Sequence, residues 1–145
     1  MLRRFAVTAA ASLTAFAAAP SALAGPLPVP LSLLGGGQTE DRLTITVEHQ
    51  PGVEGTYTLE CHPAGGTHPR AQDACDKLDS VTTWGKDTFA PVPPGRMCTF
   101  IYGGPATAHI TGSWAGRPVD ATYNRANGCE ISRWDNLVPV LPEAR

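Results

Sequence analysis

The chain has 145 residues, a formal net charge of -2 and 42% hydrophobic residues. A weakly acidic chain has no basic field with which to attract nucleic acid or an anionic membrane surface. Its length suits one domain around one core.

The first elements in chain order concern targeting. Arg3 and Arg4 precede an uncharged Ala-, Leu- and Phe-rich stretch, and Ala22-Leu23-Ala24 follows as an A-x-A-type site. This tripartite pattern reads as a secretory signal peptide over residues 1–24, cleaved after Ala24. The stretch is too short and too Ala-rich for a bilayer span, which needs about 20 strongly apolar residues. No membrane association is therefore expected after cleavage. Removing Arg3 and Arg4 takes the charge from -2 to -4. Residues 25–40 follow as a Pro-, Gly- and Leu-rich arm, PLPVPLSLLGGG, read as flexible or extended. The domain itself is expected over 41–145.

Leu43 to His49 alternates apolar and polar with period two, the pattern of a strand with one buried face. Pro51-Gly52 marks a turn, and Thr56 to Cys61 alternates again, so the pair reads as an antiparallel hairpin. Tyr57, Leu59 and Cys61 share the inward face. The segment CHPAGGTHP is read as turn material. From Pro69, the run Arg70–Leu78 reads as a helix, with Ala71, Ala74, Cys75 and Leu78 as its inward stripe.

Lys86 to Arg96 holds Pro91, Pro93 and Pro94, so it is neither a helix nor a central strand. Thr107–Trp114 and Arg117–Arg125 alternate around Ala115-Gly116 as a second hairpin, with Ile110, Trp114, Val119 and Tyr123 packing inward. Cys129–Asn136 reads as a short helix, Val138-Pro139-Val140 as a short terminal strand, and Pro142 as the start of an irregular end. The sum is an α+β fold: an antiparallel sheet of about five strands with two helices packed on one face.

Four cysteines in a secreted domain of this size read as two disulfides. Sequence allows three pairings. Zinc is disfavoured because no C-x2-C spacing is present. An enzyme is disfavoured as well. Ser32, Ser80, Ser113 and Ser132 lie outside any G-x-S-x-G, and His49, His62, His68 and His109 occur singly, without H-E-x-x-H. His68, beside Pro69, is expected to hydrogen-bond within its turn. Glu40-Asp41 reads as the solvated start of the first strand. Trp84, Trp114 and Trp134 read as core and edge packing rather than a ligand groove. No cofactor and no metal are expected.

Met97-Cys98-Thr99-Phe100-Ile101-Tyr102 is the segment with chemistry in it. Alone, its Phe, Ile and Tyr would make a buried strand. Pro91 to Gly95 before it and Gly103-Gly104-Pro105 after it bracket it as an isolated loop instead.

CHPAGGTHPRAQDACDKL resembles the signature of the Streptomyces subtilisin inhibitor-like family at Cys61, Pro63, Gly66, His68, Pro69, Ala74, Cys75 and Leu78. The likeness continues at Met97–Tyr102 and at Asn127-Gly128-Cys129-Glu130. The resemblance implies a secreted, non-enzymatic inhibitor of subtilisin-type serine proteases, homodimeric through its sheet. It implies disulfides Cys61–Cys75 and Cys98–Cys129, the first stapling the helix to the second strand. It implies a reactive bond between Phe100 and Ile101, within a reactive loop that includes Met97, Cys98, Thr99, Tyr102 and Gly103. Phe100 would fill the primary specificity pocket, Met97 a second apolar pocket, and Tyr102 would contact the leaving side of the cleft. Asn127 would support the loop by donating hydrogen bonds to its carbonyls. Thr99 and Phe100 differ from the residues frequent in relatives, as does the tail from Leu137 to Arg145. The rival readings are a substrate-like partner of a transglutaminase or metalloprotease, and a non-inhibitory extracellular binding module.

Overall fold

The computed structural model describes residues 41–144. The expected signal peptide at 1–24 and the whole of the arm at 25–40 lie outside the described residues, as does 145. Seven elements follow in order: β1 (Asp41–Glu48), β2 (Gly55–Cys61), β3 (Gly65–Gly66), α1 (Ala71–Val81), β4 (Thr107–Trp114), β5 (Arg117–Tyr123) and α2 (Gly128–Asp135). The strands form one antiparallel sheet in the order β3-β2-β1-β4-β5.

The register explains the core. Ile45 faces Tyr57 on one side and Ile110 on the other, and Ile110 in turn faces Ala121. Because side chains alternate, such a row lies wholly on one face. Leu43, Ile45, Val47, Leu59, Ile110 and Tyr123 on that face are almost completely buried. Ala74, Cys75 and Leu78 of α1 and Trp134 of α2 join the same cluster, so both helices cover one face. The opposite face carries Thr44, Thr46, Thr58, His109, Thr111 and Asp120, none of them buried.

Both disulfides pair as the resemblance implies. Cys61–Cys75 ties β2 to α1 with Cα atoms 5.6 Å apart, and Cys98–Cys129 ties the 91–104 segment to α2 at 5.3 Å. No cysteine is free among the described residues.

Four details depart from the expectations. The turn segment after Cys61 contains the short strand β3, whose Gly65 and Gly66 pair with Glu60 and Leu59. Its pairing is locked just beyond, where Thr58 N donates to Thr67 Oγ1 at 2.9 Å and His68 N to Thr58 O at 3.0 Å. Helix α1 runs on to Val81, and Thr82 then closes it through Oγ1 to Leu78 O at 2.7 Å. Val138–Val140 is a turn, not a strand. Leu137, Val140 and Leu141 are the buried residues there, and their spacing is helical rather than alternating. Leu137 N and Leu141 N continue helix-like bonding to Trp134 O and Leu137 O. The irregular end is tied down by Trp134 Nε1 donating to Pro142 O at 2.9 Å. Finally, Trp114 and Trp134 are buried but Trp84 is fully exposed.

His68 sits where its turn meets the C-terminal segment. Its Nδ1 accepts from Arg70 N at 3.2 Å and its Nε2 donates to Val140 O at 3.1 Å. That pattern needs a neutral ring, and burial pushes its pKa below the usual histidine value.

Candidate functional site

The segment 91–104 has no regular structure and leads from the α1 side of the molecule into β4. Prolines at 91, 93 and 94 remove backbone donors and so keep it out of the sheet. At its centre is a row of large apolar side chains with nothing over them. Phe100 is 103% exposed, Met97 95%, Tyr102 68% and Ile101 59%. A run like this in a small folded domain marks a surface made for a partner.

The row is exposed but not loose. Cys98 is bonded to Cys129 at the start of α2. One residue later, Thr99 O accepts from Gly128 N at 3.0 Å. A side chain on Gly128 would strike Thr99 Oγ1, so the approach depends on glycine. On the far side, Gly103 N donates to Arg125 O at 2.8 Å while Arg125 Nε donates to Gly103 O at 3.0 Å. Phe100, Ile101 and Tyr102 are left as an arc between anchors at Thr99 and Gly103.

The scaffold beneath comes from α2 and the end of β5. Asn127 is the N-cap of α2, its Oδ1 accepting from Cys129 N at 3.0 Å and Glu130 N at 3.1 Å. These contacts orient the first turn of α2, which carries Gly128 and Cys129. Arg133 holds the approach to the loop. Its Nε donates to Ala90 O at 2.8 Å, its Nη2 to Phe89 O at 3.0 Å and its Nη1 to Thr122 O at 2.7 Å. Its guanidinium lies 3.8 Å from the centre of the Tyr123 ring. Burial pushes the Tyr123 hydroxyl up to about 12, so it stays protonated under that cation.

Sequence reading missed Arg125 and Arg133. Arg125 was legible: it continues the inward positions 119, 121 and 123 of β5, where a charge needs a built partner. Arg133 carried a weaker signal: Glu130 three residues earlier pairs with it at 3.4 Å, but its shorter bonds go to backbone carbonyls.

The loop holds no nucleophile poised beside a base. Among the described residues there is no group of three or more His, Cys, Asp or Glu able to hold a metal, and no helix long and apolar enough to cross a membrane. Among the described residues, the histidine between two carboxylates lies just after β2. His62 Nδ1 meets Asp41 Oδ2 at 2.9 Å and Nε2 meets Asp79 Oδ2 at 3.1 Å. The hydrogen bonds to Asp79 and Asp41 raise its pKa.

The subtilisin inhibitor-like family model matches residues 39–127. Kexstatin-1 of Streptomyces platensis is 36% identical over 123 residues, covering 82% of this chain and 79% of that protein. The subtilisin inhibitor of Streptomyces violaceus is 35% identical over 129 residues, covering 86% and 80%. Among solved structures, Streptomyces caespitosus sermetstatin in complex with Bacillus licheniformis subtilisin is similar at 26% identity and a TM-score of 0.42, over 70% of this chain and 96% of that one.

Proposed function

Since the chain belongs to the subtilisin inhibitor-like family, we propose that it is a secreted, non-enzymatic inhibitor of subtilisin-type serine proteases, with Phe100–Ile101 as its reactive bond. The observation that carries this reading is the full exposure of Phe100 on an arc pinned at Thr99 and Gly103. A protease cleft needs an extended substrate with one side chain in its primary pocket. The loop offers that shape already ordered, so little conformational entropy is lost on binding and contact energy appears as affinity.

Phe100 enters the primary pocket, where burial of the ring contributes about 1.5–3 kcal/mol. A deep apolar pocket suits it, which favours subtilisin-like and chymotrypsin-like enzymes over trypsin-like ones. Met97 lies three residues before, and its flexible thioether suits a second apolar pocket. Ile101 and Tyr102 lie on the leaving side. The protease serine attacks the Phe100 carbonyl, and its oxyanion hole stabilises the intermediate. If the amide breaks, both new ends stay attached to one scaffold, and religation competes with hydrolysis.

The same reading includes export through the signal-like segment 1–24 and a homodimer formed by the Thr-rich outer face of the sheet. Inhibition constants measured in parallel against subtilisin, chymotrypsin and trypsin test it. Tight, stoichiometric inhibition of subtilisin and weak action on trypsin is the expected order. Full subtilisin activity in the presence of excess oxidised protein would remove the reading.

A further inference from the structure

Arg125 is an inward-facing cation at the end of β5, only 8% exposed. Its guanidinium is fixed from three directions. Nε donates to Gly103 O at 3.0 Å, Nη1 donates to Asp135 Oδ1 at 2.7 Å, and the group lies 5.8 Å from the centre of the Trp134 ring. The Gly103 amide returns a bond to Arg125 O at 2.8 Å. Gly103 comes this near because it lacks a side chain: a Cβ there would sit 2.8 Å from Ile131 Cδ1 and 3.1 Å from Arg125 Nε.

Given the reading of Phe100–Ile101 as the reactive bond, on which this rests, we infer that Arg125 is a positioning residue for resealing that bond. Attack by the protease serine breaks the amide. It leaves Phe100 as an ester on the serine oxygen, and the proton goes to the Ile101 nitrogen as it departs as an amine. Two outcomes compete. The Ile101 amine can attack the ester, which reforms the amide and returns the serine hydroxyl with its proton. Water can attack instead, leaving a Phe100 carboxylate and an Ile101 ammonium. The ratio depends on how near the amine stays to the ester. On the ester side, Cys98–Cys129 and the Thr99–Gly128 hydrogen bond hold the chain. On the amine side, only Ile101 and Tyr102 separate the new terminus from the paired hydrogen bonds at Gly103. Arg125 supplies both partners of that pair, so it sets the effective concentration of the amine.

The test uses the complete oxidised domain as wild type, Arg125→Met, Arg125→Lys, Gly103→Ala and Leu78→Ala. Each is incubated with a catalytic amount of subtilisin, starting from intact and from cleaved protein, until the two ratios meet by mass spectrometry. In Arg125→Met the cleaved-to-intact ratio is expected to rise about tenfold, the worth of one hydrogen bond from a charged donor. Arg125→Lys, which keeps one charged donor, falls between that variant and wild type. Gly103→Ala forces the same contact apart and moves the ratio the same way, which keeps the test intact if Arg125→Met does not fold. Leu78→Ala lowers stability through the core and keeps the wild-type ratio. Should wild type inhibit while Arg125→Met and Gly103→Ala keep its ratio, or should Leu78→Ala shift as far as they do, the inference falls alone. If wild type neither inhibits subtilisin nor is cut after Phe100, it falls together with the reactive-bond reading.

Discussion

The amide of Gly128 donates to the carbonyl of Thr99 at 3.0 Å, so the first turn of α2 touches the loop one residue before Phe100. A helix N-terminus presents free N–H groups and a partial positive charge, and a carbonyl is a natural partner for both. The contact ties α2, itself bonded through Cys129, to the loop one residue before the exposed Phe100.

Gly128→Ala tests that contact. The added methyl meets Thr99 Oγ1, so the loop or the helix must shift. Overpacking of this kind costs about 1–3 kcal/mol. The expected result is subtilisin inhibition weakened about tenfold or more, with a smaller fall in Tm. Inhibition constants and thermal melts read the two separately.

Asn127 offers a cleaner distinction. Its Oδ1 caps α2, and Asp caps equally well but has no amide N–H to give to a loop carbonyl. Asn127→Asp should therefore keep near-normal inhibition and stability. Asn127→Ala should lose about 1 kcal/mol of stability and part of the affinity. Denaturant unfolding and inhibition assays on the pair check this. Equal damage in both variants would support the amide-donor role.

The disulfide Cys98–Cys129 spans 31 residues of sequence. A cross-link of that reach stabilises by about 3–4 kcal/mol in the chain-entropy description. Replacing both cysteines by Ala is expected to lower stability by about that amount and to turn the protein into a substrate that subtilisin cuts quickly. Timed gel assays of the cleaved band read the conversion.

Stability against pH has two opposed histidine contributions. Folding raises the His62 pKa above 6.5, so its contribution is complete below pH 6.5 and disappears as pH rises through the folded value. Folding lowers the His68 pKa below 6.5, so its contribution is complete above pH 6.5 and falls away as pH drops towards the folded value. His62→Gln should remove the decline on the alkaline side of pH 6.5 and leave the acid decline in place. Tm measured from pH 4 to pH 9 in wild type and His62→Gln checks both signs.

The sheet was legible because its strands are half-buried and alternate without interruption; Leu43, Ile45 and Val47 point one way and Thr44 and Thr46 the other. The helices were legible from their inward stripes. The short strand β3 was not, because two glycines carry no alternation, and their pairing with Glu60 and Leu59 is reinforced by Thr58–Thr67 bonds that no local pattern announces. Val138–Val140 misled because a Val-Pro-Val run looks like a strand end, whereas the burial of Leu137, Val140 and Leu141 has helical spacing. The exposed loop was readable from its bracketing prolines and glycines. Its supports were only half readable. Cysteines announce themselves, but Arg133 binds three backbone carbonyls, and nothing in a sequence states which carbonyls a guanidinium will find.

Sequencing the product of slow cleavage by subtilisin tests the central claim most directly. A single new N-terminus reading Ile101-Tyr102-Gly103, appearing while the protease remains inhibited, is the predicted result. A first cut at any other bond, or cleavage accompanied by full protease activity, would contradict it.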